Sequence, residues 1–556
     1  MADHRKADQG LTMFAGPTLN RRTLLQHVAA AGVSSRMLGV LLAGGGAVIV
    51  PARFSAAQER GGTMTFAVTT DPETLDPHVT SNPAASSVFD YIYSTLIYQD
   101  FDLTYKGLLA ESWETSPDNL KITFKLRPGI TFHDGSPFDA ESVKFTFERL
   151  KQVGTKSPIF EEIQRVTAMD VVDAQTIALT FSEPSATFFH AINTPYGGML
   201  SRAAVEKAGD NYGRTPVGTG GYTFKEWQTG TLLTLGAFND YKAVPAYYKN
   251  QGPPYIENLA FKVIPEASSQ IASLEAGEID SAALTATDIS RFVDDDRFQI
   301  FTSQVTGISY LGMTSTKPPF DNVTVRNAVA HAVDREEIVN VVFEGELAVP
   351  VRTALPPSIP GYNPELEALA PKLDIDRAKA LLVEAGFQEN NDGIMERDGQ
   401  PFRPVLYTST SATHGQVATL LQAQLRKAGI DVQIQQMEVG ALLDFTPKGE
   451  HDMLLLGYSW GEPNALYLFL SSDRLKSSNR VHFSNEKFDQ LLKQGQQTLD
   501  FEQRLPIYTE AQKLLIEQQP WVPLYMPLAK TAVASRIQGA AVHPLGDLLL
   551  NDAFVE

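Results

Sequence analysis

Cysteine is absent from all 556 residues. That excludes disulfides, cysteine nucleophiles, zinc–thiolate centres and a lipid-bearing N-terminal cysteine. Positive charge is scarce as well: 46 Lys and Arg stand against 65 Asp and Glu, a formal net charge of −19. Such a balance argues against nucleic acid or anionic membrane as a partner. No long apolar span stands out, since the run Met37 to Val50 has 14 residues, too few to cross a roughly 30 Å hydrocarbon core comfortably. Catalytic signatures are missing too. The ten histidines form no HExxH pair and there is no Gly-x-Ser-x-Gly elbow. The acids Glu161-Glu162 and Asp294-Asp295-Asp296 are sequence neighbours whose side chains diverge. The glycine cluster Pro216 to Phe224 lacks the lysine and the spacing of a phosphate loop. The expectation is a protein with no catalytic residues, no metal site and no cofactor.

What is present is a soluble, multidomain composition. The chain is too long for one core and divides into two or three domains, with 43% hydrophobic and 20% charged residues. The first sixty residues read as an address. Asn20-Arg21-Arg22-Thr23-Leu24-Leu25 ahead of the Met37–Val50 run resembles a twin-arginine export signal, and Ser55-Ala56-Ala57 offers small residues for cleavage. An uncleaved N-terminal anchor is the alternative.

Ala110 to Arg149 is the most telling stretch. Lys121 to Arg127 alternates with Ile122, Phe124 and Leu126 on one face, a half-buried strand. Pro128-Gly129 turns the chain, Ile130 to Phe132 is expected to return as a second strand, and His133-Asp134-Gly135 turns it again. Asp139 can cap a helix carrying Val143, Phe147 and Leu150 at i, i+4, i+7. As a string, with its tryptophan, its LRPG and FHDG turns and its closing arginine, this segment resembles the family 5 extracellular solute-binding proteins. Those are the dipeptide, oligopeptide and nickel receptors of ABC importers.

The rest of the chain fits a strand at Gly62–Thr70, a loop ending in Leu75-Asp76-Pro77, and a helix from Ser86 to Ile97. Asp71 and Asp76 precede prolines and read as turn-fixing aspartates. Further along, Asp334 and Glu337 fit a capping box. A strand at Val405–Tyr407, a helix Gln416–Ala428 and a strand Val432–Gln436 form a β-α-β unit, and Asp452–Gly457 reads as a strand buried on both faces. Pro520 to Tyr525 resembles the family's strand crossing back to the first domain.

The resemblance implies an α/β fold of the type II periplasmic binding protein kind, two large lobes with hinge crossings and a smaller extra domain. The boundaries it suggests are an export signal at 1–57, lobe I at 58–102, 216–307 and 520–556, the extra domain at 103–215, and lobe II at 308–519. It implies a monomer in the periplasm that captures a small solute between closing lobes and hands it to an inner-membrane ABC permease. A secreted hydrolase and a binding module serving a chemoreceptor are the alternatives.

By the same analogy the ligand faces Ser81 and Asn82, His414, the run Tyr458, Ser459, Trp460, Glu462, Asn464, and Tyr525. Trp460 leads, a flat apolar surface set among donors and acceptors. The peptide receptors place an aspartate for the ammonium just after this tryptophan, and oligopeptide receptors can place an arginine in the preceding strand. Here Trp460-Gly461-Glu462-Pro463 is shorter and Leu455 occupies the arginine's place. A sugar-like neutral solute is therefore expected ahead of a peptide, with opines and nickel chelates open.

Overall fold

The computed structural model describes residues 60–556; the export-signal reading at residues 1–57, with Arg21, Arg22 and Ser55-Ala56-Ala57, lies outside the described residues. Near the start, Gly61–Val68 pairs in parallel with Ile256–Val263 and touches Ser281–Leu284 at Phe66. In the later part, Val405–Ser409 lies parallel both to Gln433–Met437 and to Met453–Ser459. The helix between, Ala412–Lys427, makes the expected β-α-β unit. Met453 to Leu456 are all buried, which is why that strand reads as an unbroken apolar run rather than an alternation.

One strand joins these two regions. Trp521–Ala534 is 14 residues long. Its first half pairs with Gly307–Met313 and Ala348–Pro350, its second half with Phe298–Gln304 and Ser281–Leu284. Phe298–Gln304 makes the same passage through Val305-Thr306 into Gly307–Met313, and the Val305 N–H donates to the Pro527 carbonyl at 3.1 Å. The two crossings therefore run side by side.

A separate four-stranded antiparallel sheet is built from Ala110–Thr115, Lys121–Leu126, Thr176–Phe181 and Val166–Asp173. Ile122, Phe124 and Leu126 enter its core together with Val143, Phe147 and Leu150 of the helix Ala140–Val153. Asp139 caps that helix in a reciprocal box with Ser142. Ile130–Phe132 does not form the expected strand. The chain turns back too soon for a ladder, Asp134 holds the turn by accepting from Ser136, and one bridge, Thr131 to Pro137, remains.

Three other expectations shift. The helix read at Ser86–Ile97 is Pro83–Ile92, and Ile97 begins a strand instead. The helix read from Gln416 starts at Ala412, which draws His414 into its first turn. Asp334 caps its helix, but Glu337 does not close the box. Gln424 takes that place, accepting from the Asp334 N–H at 3.0 Å and donating to Glu337 at 2.7 Å.

The sequence landmarks interlock. Arg149, which closes the 110–149 segment, forks onto Asp76 of Leu75-Asp76-Pro77 at 2.5 and 3.1 Å. It also donates to His78 Nδ1 at 2.8 Å, leaving His78 Nε2–H to donate to the Gly198 carbonyl at 3.3 Å. Desolvation pushes the fully buried His78 ring down to about 3, so it is neutral and its acceptor nitrogen suits the guanidinium. Asp71 is likewise spent on structure, accepting from Trp227 and from the Gly230 N–H. In the glycine cluster, a Cβ on Gly218 or Gly220 would collide with the carbonyl ends of Ile92 and Tyr91. Close backbone packing, not phosphate, explains those glycines.

Candidate functional site

The parallel strands Val405–Ser409 and Met453–Ser459 end on the same edge of their sheet, where α/β folds concentrate ligand sites. Ser409 Oγ and His414 Nδ1 meet there at 2.7 Å, and burial holds the His414 ring below its usual value. Beside them the chain leaves Ser459 exposed and turns at Trp460. The Trp460 N–H donates to the Thr306 carbonyl at 2.6 Å. The tryptophan is thus anchored on one of the two crossings, where a relative motion of the two regions would be felt first.

The Trp460 indole packs partly into the core beneath it, which includes Leu456 and Met526. Its other neighbour comes from a distant part of the chain. His190, on the helix Thr187–Asn193, places its ring centroid 5.4 Å from that of Trp460 at a tilt of 54°. Gly461 lies against the same imidazole, its Cβ position 3.4 Å from His190 Cε1. Desolvation pushes His190 down to about 4, with Arg504 adding to the shift. The neighbouring Ala186 N–H donates to the Gln496 carbonyl at 2.8 Å. Gln496 in turn donates to Asn464 Oδ1 at 2.8 Å. A groove of about 530 Å³ opens beside this contact, between Arg165, Glu183 and Pro184 on one wall and Tyr467, Asp489, Lys493 and Gln496 on the other.

Glu462 lies under the site rather than in it. Its side chain is 2% exposed and forms an ion pair with Arg504, itself 5% exposed. Its second oxygen accepts from the Asn464 N–H at 2.6 Å. Arg504 also donates to the Gly495 carbonyl at 2.7 Å and to Tyr508 at 3.3 Å. Burial pushes the Glu462 carboxyl above its usual range, with Arg504 and the Asn464 N–H pulling the other way. Held by Arg504 and the Asn464 N–H and almost wholly buried, Glu462 fixes the turn that presents Trp460.

Tyr458 and Tyr525 are core residues. Tyr458 donates to the Ala354 carbonyl at 2.6 Å and stacks on Phe469, while Tyr525 is 2% exposed against Phe343. Alternation along a strand decides this: Ser459 faces out where Tyr458 faces in. Asn82 caps the helix Pro83–Ile92 by accepting from the Ala84 N–H at 2.9 Å, next to an exposed Ser81. The structure thus brings Ser459, Trp460 and Asn464 together with His190, Thr306 and Gln496, and sets His414 at the same sheet edge. His190, Gln496 and Arg504 escaped the sequence reading because nothing local marks them; a histidine on the apolar helix Thr187–Asn193 looks like core.

Comparison with known proteins adds a family and a fold. The model of the bacterial extracellular solute-binding proteins, family 5, matches residues 104–477. The oligopeptide-binding protein AppA of Bacillus subtilis is 28% identical over 504 residues, 88% of this chain and 91% of that protein. The glutathione-binding protein GsiB of Escherichia coli K12 is 27% identical over 505 residues, 88% of this chain and 94% of that one. Among solved structures, the ABC transporter substrate-binding protein CtaP of Listeria monocytogenes superposes with a TM-score of 0.78 at 25% identity, covering 89% of this chain and all of that one. AppA in complex with a nonapeptide gives 0.69 at 26%, covering 90% and 100%. These neighbours are type II periplasmic binding proteins, and this chain shares their fold.

Proposed function

The chain belongs to the bacterial extracellular solute-binding proteins of family 5, and on that premise we propose that it is the substrate-binding subunit of an ABC importer. It captures a small polar solute between two lobes and delivers it, unchanged, to a permease in the inner membrane. Lobe I takes 58–102, 216–307 and 520–556, lobe II takes 308–519, and 103–215 forms the extra domain. Export through Arg21-Arg22, by the twin-arginine route, and a monomeric periplasmic product complete the reading.

The observation that carries it is the position of Trp460: an aromatic surface anchored on a crossing, at the strand edge where a solute would be caught. The relatives' ligands, oligopeptides and glutathione, favour a short peptide-like solute. A sugar-like neutral solute is the second reading, favoured by the commitment of Glu462 to Arg504, which removes the acid nearest the tryptophan as an ammonium partner. A thermal-shift panel of dipeptides, tetrapeptides, glutathione and short oligosaccharides separates them. A ligand at 100 times its Kd adds about 2.7 kcal/mol of stability. Stabilisation by peptides or glutathione is expected; stabilisation by sugars alone overturns the peptide reading in favour of the second, and no response across the panel contradicts the receptor.

A further inference from the structure

Two buried ring nitrogens at the candidate site have no hydrogen-bond partner among the described residues: Trp460 Nε1 and His190 Nδ1. They belong to rings 5.4 Å apart on elements 270 residues apart in sequence. Buried polar atoms are almost always satisfied, so an orphan needs a reason. Two orphans on rings in mutual contact point to one shared reason. We infer that the touching rings of Trp460 and His190 border a subsite for an uncharged hydrogen-bond-accepting group of the solute, an amide carbonyl or a hydroxyl.

The chemistry of each atom sets the class of that group. An indole Nε1–H only donates, so what meets it must accept. His190 is uncharged at neutral pH because burial holds its ring down at about 4; its Nδ1 either donates to the same acceptor or accepts from a hydroxyl. At the ring pair itself a carboxylate would find no free cation, since Arg504 is committed to Glu462, Gly495 and Tyr508. An ammonium would meet a donor, and the acid below the rings, Glu462, is already paired with Arg504. Only a neutral acceptor satisfies both rings. The subsite also gives the segment around His190 a part in solute recognition, which the sequence placed wholly on the loops of the two lobes. This inference rests on the receptor reading.

The test uses Trp460→Phe, which keeps a ring and removes the N–H, with His190→Phe and His190→Asn; asparagine keeps a polar atom near the Nδ1 position. Each is measured twice, by urea unfolding of the ligand-free protein and by calorimetric titration with reduced glutathione, a tetrapeptide and maltotriose. If the nitrogens await a solute, removing them leaves the ligand-free urea midpoint unchanged or raised. Both phenylalanine variants are then expected to weaken the bound probe at least tenfold, with His190→Asn recovering most of the loss. A lowered midpoint in both phenylalanine variants means the nitrogens are satisfied within the protein or by a structural water, and overturns the inference. So does unchanged probe affinity, which leaves the receptor standing. A wild-type protein that binds none of the three probes contradicts the receptor reading, and the inference falls with it.

Discussion

His78, fully buried, and His190, partly buried, are both uncharged histidines beside arginine-anchored ion pairs, yet they have opposite surroundings. His78 has both ring nitrogens engaged, by Arg149 and the Gly198 carbonyl, and Arg149 is locked to Asp76. His190 faces Trp460 with Nδ1 unpartnered, while the ion pair below it, Glu462 with Arg504, is turned inward on backbone and tyrosine. The first cluster spends its polar atoms on structure, tying the 110–149 segment to Leu75-Asp76-Pro77 and His78 to Gly198. The second spends its charges on structure and leaves two neutral nitrogens unspent. The first cluster closes on itself and acts as a clamp; the second stays open, which is why the proposed subsite is placed there.

Removing Glu462 should have the largest effect. Glu462→Ala strands the Arg504 charge in the interior, and loss of one partner of a buried pair costs roughly 3–5 kcal/mol. Urea unfolding checks it; a loss below about 1 kcal/mol would mean the pair is not buried as described. Arg149→Met should cost somewhat less, about 3 kcal/mol, because Asp76 and Arg149 retain partial exposure of 8% and 14%. It should loosen the contact of the 110–149 segment with Leu75-Asp76-Pro77, seen as faster amide exchange there, and leave solute affinity nearly intact. If affinity collapses instead, the division between clamp and site fails.

Trp460→Ala should do the reverse, costing about 2 kcal/mol or more of solute binding as loss of an aromatic anchor does, with a smaller change in unfolding. Last comes pH. The folded values of His78 and His451, about 3 and about 4 through burial, lie below the roughly 6.5 of an unfolded histidine. The unfolded chain then binds the extra protons, so stability is full above pH 6.5 and declines as pH falls toward 4. The cost is on the order of 1 kcal/mol for each ring at pH 5.5. Urea midpoints at pH 7.5 and 5.5 measure it, and His78→Gln should remove its share of the slope.

Much of the fold was legible in the sequence because its signals are local. Alternation marked Ile122, Phe124 and Leu126, Asp139 marked its helix, and the apolar run at Met453–Leu456 marked a central strand. Expectations failed where tertiary context intervened. Ile130–Phe132 lost its ladder to the turn that follows it, and Gln424 replaced Glu337 from 87 residues away. The site was half legible. Trp460 stood out by composition, but Glu462 looked free because its partner Arg504 lies far along the chain, on the helix Phe501–Gln518. Tyr458 and Tyr525 looked like cleft residues because nothing local says which face of a strand turns inward.

A receptor of this kind holds its solute without changing it. Native mass spectrometry of the protein incubated with glutathione or a tetrapeptide, followed by denaturation and recovery of the bound molecule, tests that most directly. Expected is a saturable one-to-one complex, weakened by Trp460→Ala, that releases the solute at its original mass. Recovery of a cleaved or modified solute, or no complex with any solute of that class, would contradict it.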